Sequence, residues 1–159
     1  MHIVIPDDYQ DCVRDLDAFA KLAGHHVTIY TDTVSDEDEL VERFQDADAL
    51  VLIRERTPIT ASLLARLPKL KLISQTGGGA AHVDMAACRE HGVVVLAGTG
   101  SPYAAAELTW GLVLSAMRRI PEEVENLKAG RWQRTLGTGL KGRTLGVFGY
   151  GKIGQLVAR

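Results

Sequence analysis

Leu145-Gly146-Val147-Phe148-Gly149-Tyr150-Gly151-Lys152-Ile153-Gly154 is an apolar β-type run entering a Gly-x-Gly-x-x-Gly turn, and Gln155 to Arg159 reads as the start of a helix. Strand, turn and helix in this order are what a dinucleotide site needs. Gly149 permits the tight turn, Gly151 lets the backbone approach a pyrophosphate, and Gly154 lets the helix pack close to its strand. The free N–H groups of the first helical turn face the phosphates. The chain holds 16 glycines, so the motif takes its weight from its setting after a strand and before a helix. A ribose-binding acid belongs about 20 residues further on. That position lies past Arg159, so the expectation is a chain cut through its cofactor site.

At 159 residues, 46% hydrophobic and 24% charged, the composition is that of a soluble globular protein. No apolar run approaches a membrane span. Met1 leads straight into a short strand with Asp7 and Asp8 close behind, unlike a signal peptide. Cys12 and Cys88 form no CxxC pair, and a reducing cytoplasm is the expected location. A net charge of -2 argues against a nucleic-acid partner. Residues 1–50 carry 13 Asp/Glu against 3 Lys/Arg, while the remainder is basic. This asymmetry either favours anionic ligands in the second part or is solvated surface charge.

Strands are expected at His2–Ile5, His26–Tyr30, Ala49–Ile53, Leu70–Ile73 and Val93–Leu96. Helical spacing predicts a helix from Tyr9 through Ala20, stopped at Gly24. Ser35 with Asp38 resembles an acidic capping box for a second helix, Thr60 caps a third, and a fourth runs from Met85 to His91 and ends at Gly92. Alternating strands and helices with apolar strands imply a parallel sheet covered on both faces. That unit closes near residue 98. Ser101 is the expected N-cap of a long helix reaching about Arg119, and Pro121 starts another that ends at Gly130.

Three constellations could carry chemistry. Gln75-Thr76-Gly77-Gly78-Gly79-Ala80 follows a parallel strand, where open α/β sheets bind ligands. Its amides could cradle a carboxylate, or the glycines could serve a plain loop that needs positive φ. Arg54 and Arg56 follow the preceding strand, placed either to hold an acid by forked hydrogen bonds or simply to face solvent. His82, Cys88 and His91 lack the further ligands a metal site needs, so no metal is expected. No Ser/His/Asp or Cys/His arrangement stands out, nor a proton donor paired with a cation for a carbonyl.

Taken in order, these residues resemble the N-terminal half of the NAD(P)-dependent D-isomer-specific 2-hydroxyacid dehydrogenases. The resemblance runs through Arg54-Glu55-Arg56-Thr57-Pro58-Ile59-Thr60, Leu70 to Gly79, Ala106-Glu107-Leu108-Thr109, Arg118-Arg119-Ile120-Pro121, Ala129-Gly130-Arg131-Trp132 and Leu140 to Gly154. It implies an α/β fold: a flavodoxin-like substrate domain with a parallel sheet over residues 1–98, then the truncated start of a Rossmann domain over 99–159. The loop matching Gly77, Gly78 and Gly79 would contact the substrate carboxylate, with Gly78 also bordering the cofactor. Arg54 would contact the acid, and Lys152 and Ile153 would lie against the pyrophosphate beside Gly149, Gly151 and Gly154. The segment around residues 118–140 resembles the part that builds the family's homodimer interface. Where many members have Val-Asp-Asn after the glycine loop, this chain has Ala80-Ala81-His82.

The family's catalytic arginine, acid and histidine fall beyond Arg159, so no catalytic residue is expected in this stretch. The implied activity is hydride transfer between NAD or NADP and a 2-hydroxy or 2-keto acid, by the parent protein rather than by the 159-residue chain alone. The alternatives are a non-catalytic, NAD-sensing corepressor-like protein on the same scaffold, and a methyltransferase, which would share only the last motif.

Overall fold

Five short apolar runs pair side by side in the computed structural model, which describes residues 1–159. They are β1 (His2–Ile5), β2 (His26–Ile29), β3 (Ala49–Leu52), β4 (Leu72–Gln75) and β5 (Val94–Ala97). Every pairing is parallel and the order is β2-β1-β3-β4-β5. The sequence order reverses between β1 and β3, as in flavodoxin-like doubly wound sheets. The chain divides into two units, Met1–Gly100 and Ser101–Arg159.

Side chains alternate across the sheet of the first unit. Val4, Leu50, Leu52 and Ile73 face a core closed by α1 (Glu37–Phe44), α2 (Ala61–Ala65) and α3 (Met85–Glu90), with Phe44, Leu63, Leu64 and Cys88 fully buried there. Ile3, Ile5 and Ala49 face the other way, against Val13, Leu22 and Val27. Capping fixes where the three helices of this unit begin. Thr60 Oγ1 accepts from Leu63 N–H, and Asp84 accepts from Ala86 and Ala87 N–H. Gly92, at φ +70, lets the chain turn out of α3 into β5.

Several sequence expectations need correction. The helix expected over Tyr9–Ala20 is two 3-10 turns, Val13–Asp15 and Asp17–Leu22, separated by Leu16 in an extended conformation. The buried Asp8 carboxylate accepts from the N–H groups of Cys12 and Val13, and this local bonding competes with a helical ladder. Tyr9 and Leu16 stay about half exposed. The cap of α1 is Asp36, which accepts from Asp38 and Glu39 N–H, and not Ser35. The fourth strand lies two residues later than expected: Leu70 is held in a turn by its N–H to Leu67 O, and pairing with β3 begins at Leu72.

The second unit contains α4 (Tyr103–Met117), α5 (Ile120–Lys128) and α6 (Lys152–Val157). Trp110 Nε1 donates to Val157 O at 3.0 Å, tying α4 to α6. Pro102 rather than Ser101 sits at the start of α4, and Ser101 Oγ accepts from Tyr103 N–H at 3.4 Å. Leu145–Phe148, expected as a strand, forms none. This unit offers no second strand to complete a ladder, and Phe148 is fully exposed. Leu108 and Leu112 on α4 are likewise exposed.

Candidate functional site

At the carboxyl ends of β3 and β4, two adjacent strands open into an exposed cleft of about 430 Å³ lined by Arg54, Glu55, Arg56, Gln75, Gly77 and Gly79. The two arginines differ in what they do. Arg56 lies over the Tyr9 ring, 4.1 Å from its centroid, and donates to Asp7 O. Asp7 is buried, and its carboxylate accepts from the hydroxyls of Thr33 and Thr57. Arg56 is thereby built into the connection that follows β1. The Arg54 guanidinium makes no ion pair or hydrogen bond within the protein and is free to meet a ligand. Its backbone, at φ +58, is in the left-handed region.

None of Gly77, Gly78 and Gly79 has positive φ, so the plain-loop explanation for the glycine run is not what the backbone displays. A Cβ at Gly77 or Gly78 would make ordinary contacts of 3.6 Å, and one at Gly79 would meet only the flexible end of Glu55. The fold requires glycine at none of the three. What the run provides is bare backbone: the N–H groups of Gly77, Gly78 and Gly79 donate to no acceptor in the protein. Such a row of unpaired donors beside a free guanidinium suits a carboxylate.

Beyond the glycines, both ring nitrogens of His82 are buried without a partner. Burial pushes the His82 imidazole below its ordinary value, against a weaker upward pull from the Glu55 carboxylate. Cys88 is buried and His91 exposed, and no three His, Cys, Asp or Glu side chains converge as metal ligands do.

The remaining candidate residues form one turn in the second unit. Gly149 has φ +93, which a side chain rarely tolerates. A Cβ on Gly154 would collide with Gly149 O and stand 3.1 Å from Gly149 C and 3.3 Å from Val147 Cγ1. Gly151, at the N-cap of α6, would find nothing within 4 Å, and no side chain caps that helix end. Lys152 and Ile153, its first two residues, are exposed.

Gln75, Glu55 and Asp7 carry no individual role that the sequence alone makes visible. Gln75 is 2% exposed and follows Ile73 by two positions on the buried face of β4. The signal in the sequence is a polar residue at a core position, visible only when the strand extends past Ile73 to Gln75.

A parallel sheet of this order, with a glycine loop and a free arginine on adjacent carboxyl ends, defines an α/β domain of the doubly wound class. Residues 4–148 match the family "D-isomer specific 2-hydroxyacid dehydrogenase, catalytic domain", and the chain belongs to that family. It is 41% identical over 126 residues to the D-3-phosphoglycerate dehydrogenase of Methanocaldococcus jannaschii, covering 77% of this chain and 24% of that protein. The crystal structure of phosphoglycerate oxidoreductase from Vibrio cholerae superposes with a TM-score of 0.93 at 57% identity, over 99% of this chain and 51% of the other. The D-lactate dehydrogenase of Aquifex aeolicus, solved with NAD and lactic acid, matches with a TM-score of 0.70 at 27% identity, over 98% of this chain and 46% of the other. The chain thus spans a quarter of the curated relative's length and half that of the solved structures. No helix is long and apolar enough to cross a membrane.

Proposed function

We propose that the whole protein transfers a hydride between NAD or NADP and a D-2-hydroxy acid or its 2-keto acid. Residues 1–98 serve as its substrate domain and residues 99–159 begin its NAD(P)-binding domain. The observation that carries this reading is the cleft lined by the unpartnered Arg54, Gly77 and Gly79, on a glycine run, Gly77 to Gly79, whose amides are unpaired. These groups bind the substrate carboxylate by its charge and its two acceptor oxygens.

The dinucleotide reading is supported by the turn at Gly149, Gly151 and Gly154. Open space at Gly151 and the uncapped first turn of α6 leave bare backbone for a pyrophosphate, with Lys152 and Ile153 against it. Bound there, the cofactor supplies or accepts the hydride. This stretch contributes binding and orientation, and we assign it no catalytic side chain. Two further properties accompany the proposal. A homodimer is supported by the apolar groove of about 330 Å³ that Ile120, Val124, Leu127 and Trp132 help to line. A cytoplasmic location is supported by two cysteines that form no disulfide.

The test is turnover by the whole protein with a panel of 2-keto acids, NADH and NADPH, followed by loss of nicotinamide absorbance at 340 nm. Reduction of at least one acid to its D-hydroxy product is expected. Tight cofactor binding with no turnover across the panel would refute the proposal.

A further inference from the structure

We infer that Gln75 is a positioning residue for Arg54, acting through the Arg54 backbone. This rests on the reading of Arg54 as a carboxylate-binding residue. Arg54 is a non-glycine residue held at φ +58, a conformation that persists only where its surroundings impose it. Both of its backbone polar groups are tied to the end of β4. Gln75 Nε2 donates to Arg54 O at 3.0 Å, and Arg54 N–H donates to Thr76 Oγ1 at 3.4 Å. Thr76 is itself anchored to β3, its N–H donating to Leu52 O at 3.0 Å.

Two features separate this from ordinary packing. Gln75 is 2% exposed, and its Oε1 has no partner, so the one hydrogen bond its side chain makes goes to Arg54. A buried amide satisfied on one side only is a poor choice for stability alone, because a hydrophobic side chain of similar volume would leave nothing unpaired. The clamp also sits at a junction: Gln75 and Thr76 run directly into Gly77, Gly78 and Gly79. The residues that hold the Arg54 backbone are continuous with the glycine loop, whose Gly77 and Gly79 line the same cleft, so the clamp fixes where the Arg54 side chain leaves the backbone relative to that loop.

The test is a kinetic double-mutant cycle in the whole protein, measuring kcat and KM at saturating reduced cofactor for the 2-keto acid of the panel above that wild type reduces fastest. Gln75→Met keeps length and volume but cannot donate, and Thr76→Val removes the second tether. Arg54→Ala is expected to raise KM about tenfold or more, as for loss of a charge-assisted bond. Gln75→Met should raise KM by roughly tenfold with kcat within about twofold, the pattern of lost substrate binding. In the Arg54→Ala background it should add less than about twofold, because its effect passes through that side chain. Should Gln75→Met fail to fold, Thr76→Val carries the same cycle, with a smaller rise in KM that again vanishes without Arg54.

Effects that multiply in the double variant overturn the clamp, as does an unchanged KM in Gln75→Met when Arg54→Ala raises it. An unchanged KM in Arg54→Ala instead overturns the carboxylate-binding role of Arg54, and the clamp with it.

Discussion

Replacing Gly149, Gly151 and Gly154 one at a time by alanine should give three different results, although all belong to one motif. At Gly154 the new Cβ meets backbone, namely Gly149 O together with Gly149 C at 3.1 Å and Val147 Cγ1 at 3.3 Å. No rotamer relieves that contact, so the turn must open, at a cost of about 1–3 kcal/mol typical of overpacking. At Gly149 there is room for the methyl group, but φ is +93, and a left-handed conformation costs an L-residue roughly 1–2 kcal/mol. At Gly151 there is neither obstacle. The backbone is extended and nothing lies within 4 Å; the gain through the unfolded chain is offset because alanine is a poorer N-cap than glycine, so the change should stay within about 1 kcal/mol of neutral. Urea denaturation read by Trp110 suits the measurement, because its indole N–H joins α4 to α6, and a Trp132→Phe background removes the exposed second fluorophore. The same variants, titrated with NADH in the whole protein, separate folding from binding. Gly151→Ala should weaken the cofactor about tenfold or more while the fold is intact, since its methyl occupies the space a pyrophosphate needs. A Gly154→Ala protein as stable as wild type, or a Gly151→Ala protein with wild-type NADH affinity, would refute this reasoning.

Core and pH give two further tests. Phe44 is fully buried between α1 and the sheet, and Phe44→Ala should cost about 3–5 kcal/mol in denaturant unfolding of the first unit; a loss under 1 kcal/mol would contradict the packing described. His82 titrates below its ordinary value near 6.5 in the fold, chiefly through burial. The unfolded chain therefore takes up that proton at higher pH than the folded one. The His82 contribution is complete above about 6.5 and is lost as pH falls through that value towards the lowered folded pKa. Relative to wild type, His82→Gln should flatten the decline in stability between neutral pH and the acid side of that value; an unchanged pH profile counts against the buried, unpartnered imidazole.

Much of the architecture is legible in the sequence because buried parallel strands leave continuous apolar runs. Ala49-Leu50-Val51-Leu52 could be read without coordinates, and Thr60 and Gly92 mark helix ends by their own chemistry. Other features depend on partners that no local pattern encodes. Leu145–Phe148 has the composition of a strand but no neighbouring strand in its unit, and a ladder needs two. Tyr9–Ala20 has helical spacing, yet the Asp8 carboxylate takes the N–H groups with which a helix would start. Asp7 and Asp8 count as surface charge in a composition, whereas the fold buries both. In the site, Arg54 and the glycine run stand out by residue type. The division of labour between Arg54 and Arg56 does not, since it rests on contacts with Tyr9 and Asp7, more than 40 residues away in sequence.

The proposed function stands on Gly77, Gly78 and Gly79 presenting their free amides, with Arg54, to a substrate carboxylate. An amide-resolved NMR titration of the 159-residue chain with oxalate, a dicarboxylate of 2-keto acid shape, addresses it most directly. Saturable shifts concentrated at Gly77, Gly78, Gly79 and Arg54, and abolished in Arg54→Ala, are the predicted result. Saturable shifts located elsewhere, with those four amides unmoved, would contradict it.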